Sequence, residues 1–296
     1  MSTASAALFH QLIDDASTFP PGDLPLATAF TAHQRHCQGP RAPFLGRLVC
    51  RASALPALSE LSESTNTAQP LRLRLVLDTG TAGLAEALKL AGGAPGLTVD
   101  AVELALPAGA GQPAAAHRAL RELAAVATDL TCYLELDRTA DWRPALPVLA
   151  AANAETGLTA AAKLRTGGLA AAAFPTEAEV AAFVHACHQH HTAFKCTAGL
   201  HHAVRHTDRL TGFEHHGFLN VLLAAAAAQA GADLPELTAL LALRDGAAVA
   251  DRVRSLGRSG GTAEATGARG LFHAFGSCEF DEPVDDLVQL GLLDQG

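Results

Sequence analysis

Short apolar segments alternate with longer helical patterns along most of the chain, and no other feature of the sequence constrains the fold as strongly. We predict strands at 46–50, 71–77, 99–106, 131–136, 158–164, 192–197 and 271–275, where apolar runs end at turn signals. Helix-length patterns separate them at 81–91, 112–127, 140–152, 176–188 and 217–230. Strands that alternate with helices in this way are parallel.

Seven visible strands with intervening helices favour a single (β/α)8 TIM-type barrel, whose eighth strand lies before residue 46 or at 218–223. The glycine-rich motifs GxGxxG and GxxxxGK[ST], which are typical of doubly wound nucleotide-binding domains, do not occur. We therefore predict one domain over 1–296, with an N-terminal helical extension at 1–45 and the barrel at 46–296.

The charge and composition favour small-molecule chemistry. The formal net charge is -9 and there is no run of basic residues, which argues against nucleic acid or an anionic membrane surface as a partner. The longest apolar stretch, 221–228, is too short to span a bilayer, and the start shows no signal-peptide pattern. We expect a cytoplasmic protein of bacterial, high-GC composition, and leave open whether it forms a homo-oligomer.

Lysine is rare in this chain, with only three residues against eighteen arginines. Two of them, Lys163 and Lys195, lie in similar settings on predicted strands, whereas the third is Lys89. A chain that uses arginine for nearly every positive charge is expected to keep lysine where an amine must lose its proton and attack a carbonyl. The alternative is that both lysines are buried and paired with carboxylates.

Polar residues cluster at the predicted carboxyl ends of the strands, where the active site of a parallel barrel lies. They are Asp78, Asp100, Glu103, Glu135, Asp137, Lys163, Arg165 and Lys195. An ionised lysine inside the barrel needs a carboxylate partner, for which we consider Glu135 and Asp100. A second cation near Lys163 lowers its pKa, so we predict a depressed pKa caused by Lys195 and Arg165.

Several short motifs follow one another in a recognisable order. They are Leu48-Val49-Cys50, Val99-Asp100-Ala101-Val102, Tyr133-Leu134-Glu135-Leu136, Lys163-Leu164-Arg165-Thr166-Gly167-Gly168, Phe194-Lys195-Cys196-Thr197-Ala198-Gly199-Leu200 and Phe275-Gly276-Ser277-Cys278. Over about residues 46–280 this series resembles the deoxyribose-phosphate aldolase family of class I aldolases. The resemblance implies that Lys163 forms the Schiff base, that Lys195 depresses its pKa and that Asp100 relays protons.

The sequence departs from that family where its phosphate-binding residues would lie. Arg165 replaces a small hydroxyl residue, and Gly199-Leu200-His201-His202 replaces the family's Gly-Ile-Arg. We therefore predict an aldolase-like carbon-carbon lyase that acts on a small carbonyl compound without a cofactor, with Glu135 in the catalytic set. The predicted substrate-binding residues are Asp78, Arg165, Gly167, Gly199, His201, His202, Gly276 and Ser277.

A histidine cluster supports an alternative. Imidazoles are common ligands of zinc and related divalent metals, and His201, His202, His206 and His216 follow the Lys195 strand closely. The alternative is a metal-dependent lyase or hydrolase in which Lys163 and Arg165 bind an anionic substrate. A second alternative is a barrel without activity that serves as a binding or scaffold protein. A phosphoribosyltransferase-like fold is less favoured, because no phosphate-binding glycine loop supports it.

Overall fold

A closed barrel of eight parallel strands forms the centre of the molecule, as the sequence predicts. The computed structural model describes residues 7–294, apart from 66–69, 95, 110, 128 and 257–261. The barrel strands are β1 (Ile13–Asp15), β2 (Leu45–Arg51), β3 (Leu71–Val76), β4 (Leu97–Ala105), β5 (Thr131–Glu135), β6 (Thr159–Arg165), β7 (Phe194–Thr197) and β10 (Phe272–Ser277). Their order around the barrel follows the chain, and β10 closes the barrel against β1.

Helices connect the strands on the outside of the barrel. They are α1 (Leu26–Gln38), α2 (Leu55–Glu63), α3 (Leu84–Gly93), α4 (Gln112–Ala124), α5 (Leu146–Glu155), α6 (Glu177–Gln189), α7 (Phe218–Gln229), α8 (Leu234–Leu241), α9 (Gly246–Leu256), α10 (Thr262–Leu271) and α11 (Asp281–Gln289). A short antiparallel hairpin, β8 (His206–Thr207) and β9 (Glu214–His215), follows β7. Within the described residues, no helix is long and apolar enough to cross a membrane.

The prediction of an N-terminal extension over 1–45 is wrong for most of that segment. It contains β1, the missing eighth strand, and the helix α1, so from Ile13 onward it belongs to the barrel. The other place considered for the eighth strand, 218–223, lies in α7. β1 is only three residues long, which is too short to show a periodic pattern in the sequence.

Strand β3 shows how the barrel divides its apolar and polar side chains. Leu71, Leu73 and Leu75 are buried in the main hydrophobic core, whereas Arg72 and Arg74 alternate with them. Because successive side chains of a strand point to opposite faces, the leucines pack against the helices and Arg74 faces the barrel interior. Polar interior positions of this kind bring charged groups from several strands together.

Helix α6 begins where the sequence predicts it. The Thr176 side chain accepts a hydrogen bond from the Glu179 backbone N–H, and the Glu179 carboxylate accepts one from the Thr176 N–H. This capping box satisfies two N–H groups at the helix start. It fixes where the loop after β6 ends, and that loop follows the strand that carries Lys163.

Candidate functional site

Lys163 and Lys195 lie side by side inside the barrel. They are direct register partners on β6 and β7, and Glu135 on β5 is the register partner of Lys163 on its other side. Both lysines are buried, with side-chain exposures of 6% for Lys163 and 1% for Lys195. Three ionisable side chains from neighbouring strands therefore share one level of the barrel.

One carboxylate, Glu103, joins the two lysines. Glu103 Oε2 lies 2.8 Å from Lys163 Nζ, and its other oxygen accepts a hydrogen bond from Lys195 Nζ. Lys163 Nζ also lies 2.9 Å from Glu135 Oε2. Each lysine thus contacts Glu103 and one further carboxylate, which offsets the cost of burying its charge.

The second carboxylate partner of Lys195 is Asp14, from the short strand β1. Lys195 Nζ donates a hydrogen bond of 2.7 Å to Asp14 Oδ2. Arg74 Nε lies 2.7 Å from the same oxygen, as an ion pair rather than an aligned hydrogen bond. Both cations face the ring of Tyr133, with the Arg74 guanidinium carbon 5.0 Å and Lys195 Nζ 5.6 Å from its centroid, which adds cation–π attraction.

Ion pairing decides the protonation of this network. Burial alone would raise the pKa of Glu103, but Lys163 and Lys195 hold it well below its usual range. Burial likewise opposes ionisation of Lys163, but Glu103 and Glu135 raise its pKa above the ordinary lysine value. The structure thus differs from the predicted depressed pKa of Lys163, because two carboxylates contact this amine directly.

Arg165 lies at the mouth of the barrel, beyond Lys163 on the same strand. Its Nε donates a hydrogen bond of 2.7 Å to Glu135 Oε1, and its side chain is 52% exposed. Glu135 therefore joins the buried Lys163 to a half-exposed arginine. Of the residues predicted to surround one cavity, Glu135, Lys163, Arg165 and Lys195 do come together.

Asp100 does not join them, so its predicted place beside the lysines is wrong. It lies near the start of β4 rather than at its carboxyl end, and it is paired with Arg47 at 2.6 Å and with Arg72 at 2.8 Å. Those arginines are near the beginnings of β2 and β3, so the three residues form an ion cluster towards the opposite end of the barrel. A register shift between β3 and β4 leaves Asp100 without a partner on β3.

Two of the predicted substrate-binding residues, Gly167 and Gly199, hold two loops together. A Cβ atom on Gly167 would lie 2.8 Å from the Gly199 Cα, and one on Gly199 would lie 2.8 Å from the Thr166 carbonyl oxygen. Gly199 also has a φ of +75°, in the left-handed region that favours glycine. The glycines therefore allow the loops after β6 and β7 to touch, which is a structural role.

The remaining predicted binding residues lie around the mouth of the barrel. Asp78 is exposed after β3 and accepts a hydrogen bond of 3.1 Å from the Ser53 backbone N–H. Gly276 lies on β10 beside Thr197, its register partner. Ser277 Oγ donates to the Glu279 carbonyl at 2.7 Å and lies 3.4 Å from His201 Nδ1. Burial lowers the pKa of His201 to about 4, so this imidazole is neutral at pH 7.

The four histidines predicted as metal ligands do not converge. His216 is fully buried, and its two ring nitrogens lie 2.7 Å from the Pro175 carbonyl and 3.3 Å from Arg205. His202 Nδ1 is paired with Asp286 at 3.1 Å, and His206 Nδ1 is 3.1 Å from the Val204 carbonyl. Across the part of the chain that the structure describes, no group of three or more His, Cys, Asp or Glu side chains is arranged to hold a metal ion.

Sequence reasoning missed two members of the network and undervalued a third. Asp14 and Arg74 were not candidates, and Glu103 was recognised as a strand-end carboxylate but was not assigned a catalytic role. The alternation of leucine with arginine on β3 is the signal that could have identified Arg74. No family model matches the chain, and a search of curated proteins finds no match.

Proposed function

We propose that this protein is an aldolase-like carbon-carbon lyase that acts on a small carbonyl compound through an imine at Lys163. The observation that carries the proposal is the pair of lysine amines on neighbouring strands bridged by Glu103. The TIM-barrel fold is commonly enzymatic, and Lys163 lies in the carboxyl-terminal half of β6. Lys163 is favoured over Lys195 because its side chain is the more exposed of the two, at 6% against 1%, and because it contacts Glu135, which reaches the half-exposed Arg165.

The chemistry assigned to Lys163 begins with loss of its extra proton. The free amine attacks the substrate carbonyl carbon, a C–N bond forms, and the oxygen leaves as water after it has been protonated, which gives the imine. Glu135 lies 2.9 Å from Lys163 Nζ and contacts the half-exposed Arg165, so it is placed to accept and return these protons. Once protonated, the imine accepts the electron pair of the cleaved carbon-carbon bond and becomes an enamine, while the hydroxyl group of the departing fragment gives its proton to Glu135 and becomes a carbonyl. Protonation of the enamine carbon and hydrolysis by water then release the second fragment and the free amine.

The metal-dependent alternative receives less support. His202 and His206 are in ring contact, but among the described residues no three of these side chains are arranged to hold a metal ion, and His216 uses both ring nitrogens within the protein. The scaffold alternative also explains a buried ion network, since such networks can be structural. A test of the proposed function must therefore detect the covalent chemistry itself.

The rarity of lysine permits such a test. Lys89 is exposed on α3, so Lys89→Arg together with Lys195→Arg leaves Lys163 as the single lysine. Lys89→Arg with Lys163→Arg leaves Lys195 instead. Each protein is incubated with a panel of aldehydes and ketoacids and sodium borohydride, and adducts are measured by intact mass. A variant without any lysine gives the background from the chain's amino terminus.

We expect adducts on the protein that retains Lys163 and only background on the protein that retains Lys195. Arginine keeps the charge at either position but does not form the imine. Adducts confined to the protein that retains Lys195 would move the imine to that residue. The absence of adducts in the native protein across the panel would reject imine catalysis.

A further inference from the structure

Seven ionised side chains form one continuous series in which positive and negative charges alternate. In order of contact they are Arg74, Asp14, Lys195, Glu103, Lys163, Glu135 and Arg165. The series begins at a buried arginine inside the barrel and ends at a half-exposed arginine at the mouth. We call it the charge series.

The charge series contains four cations and three carboxylates, so it carries one surplus positive charge when every member is ionised. Both ends are guanidinium groups, which stay protonated in proteins. Any proton that leaves the series near neutral pH therefore comes from one of the two lysines. Lys163 is the nearer of the two to solvent, and it contacts Glu135, which joins it to the mouth.

We infer that Arg165 is a positioning residue that supplies the surplus charge and thereby favours loss of a proton from Lys163. This inference rests on the proposed imine function and gives it a physical basis. Arg165 acts in two ways, because its charge repels the Lys163 ammonium and because it shares the Glu135 carboxylate that otherwise holds the Lys163 proton. Loss of Arg165 leaves three cations facing three carboxylates.

The surroundings of Lys163 support this assignment. The charged groups that face it are Glu103 from β4, Glu135 from β5 and Lys195 from β7; Asp14 from β1 lies one contact further away and Arg74 from β3 beyond Asp14. Arg269 from α10 is a further cation that interacts with Asp14 and Arg74. His273 on β10 bonds the Tyr133 hydroxyl at 2.9 Å, and burial lowers its pKa to about 4, so it adds no charge at pH 7. Among the described members of this group, Arg165 is the cation most open to solvent and the simplest to replace.

The test measures how readily Lys163 reacts with a carbonyl probe that needs no specific binding site. Formaldehyde forms an imine with a free amine and releases water, and cyanoborohydride then delivers a hydride that fixes the product. The rate at each lysine is followed between pH 7 and 9 and located by tandem mass spectrometry. Exposed Lys89 is the internal reference. The variants are Arg165→Gln and Arg165→Lys, with Arg209→Gln as the control that removes an exposed arginine near the tip of the β8–β9 hairpin.

We expect Arg165→Gln to slow labelling of Lys163 about tenfold relative to Lys89 at each pH, because the Lys163 pKa rises when the neighbouring positive charge is lost. Arg165→Lys should restore the native rate, and Arg209→Gln should not change it. Any of three results would overturn the inference. The ratio of Lys163 labelling to Lys89 labelling is unchanged in Arg165→Gln, this ratio falls equally in Arg165→Gln and Arg165→Lys, or native Lys163 is not labelled at all.

The two proposals fail in distinguishable ways. If labelling depends on Arg165 as expected but no member of the substrate panel forms an adduct, the imine function is rejected and the role of Arg165 in the charge series stands. If substrate adducts form at Lys163 but the rate of formaldehyde labelling of Lys163 is the same with and without Arg165, the proposed function stands and the inference about Arg165 fails.

Discussion

Lys163 and Lys195 are register partners on neighbouring strands, and both contact the carboxylate of Glu103. Neither amine is buried without a carboxylate partner. The ion pairs of this arrangement stabilise the fold, and its amines are the groups proposed to react with a carbonyl substrate. The predictions below separate these two contributions.

Replacement of Glu103 by glutamine should destabilise the protein by about 3–5 kcal/mol, because both buried lysines lose their shared carboxylate. Urea unfolding at pH 7 measures the change. The matched control is Asp100→Asn, which removes a partly exposed carboxylate paired with Arg47 and Arg72, and should cost roughly 1 kcal/mol or less. Equal losses of unfolding free energy in the two variants would show that the contact of Glu103 with both lysines contributes no more to stability than the partly exposed ion pairs of Asp100.

The buried pair of His33 and Asp15 should make stability depend on alkaline pH. Burial opposes protonation of His33, but its 2.9 Å contact with Asp15 raises its pKa to about 9. A raised histidine pKa stabilises the fold fully below the unfolded value of about 6.5, and the contribution is lost as the pH rises through 9. We expect a loss of about 3 kcal/mol between these limits.

Urea unfolding at pH 6.0, 7.5 and 9.5 measures this dependence for the native protein and for His33→Gln. The variant should be less stable at pH 6.0 and should show a flatter profile. His117→Gln, at an exposed position of α4, is the control and should keep the native profile. A native profile that is already flat over this range would contradict the assignment of a charged His33.

The contact between two loops predicts a penalty for alanine at Gly199. An added Cβ meets the Thr166 carbonyl oxygen at 2.8 Å and the residue keeps a positive φ, so we expect a loss of about 2–4 kcal/mol. Gly212→Ala is matched in backbone conformation, with a φ of +70°, but no atom lies within 4 Å of its Cβ, so only about 1 kcal/mol should be lost. Thermal unfolding of both variants isolates the cost of the close approach.

Metal removal separates the two enzyme classes. If the reaction proceeds through an imine at Lys163, EDTA should leave adduct formation unchanged, because no step of that route uses the histidines. His206→Gln, at a partly exposed position, should likewise leave it unchanged. Loss of activity on chelation, restored by added zinc, would favour the metal-dependent alternative.

The barrel itself could be predicted from the sequence, because each of seven strands has an apolar run with clear ends. Strand β1 could not be predicted as a strand, because two of its three residues are aspartates and it has no apolar run. Asp14 faces the barrel interior and Asp15 contacts His33. The region after α7 was also missed, where α8, α9 and α10 follow one another without a strand. Consecutive helices break the regular alternation on which the prediction depends.

The candidate site was predicted in part. Lys163, Lys195, Glu135 and Arg165 share positions near the ends of consecutive strands, and simple alternation brings them together. Asp100 was preferred to Glu103 because of the resemblance to the aldolase family, and the sequence does not reveal the register shift that leaves Asp100 without a partner on β3. The histidines are adjacent in sequence, but the β8–β9 hairpin pairs His206 with His215 and leaves His216 to turn into the protein interior.

The seam between β1 and β10 has a consequence for how the chain matures. Asp14 is synthesised long before its register partner Gly276. Until that final strand emerges, β1 lacks a neighbour on one edge, and closure must wait for a contact of very long sequence separation. The carboxylate that holds Lys195 is therefore fixed in place only after β10 has been made, so a ribosome-bound intermediate carries the lysines before it carries a finished site.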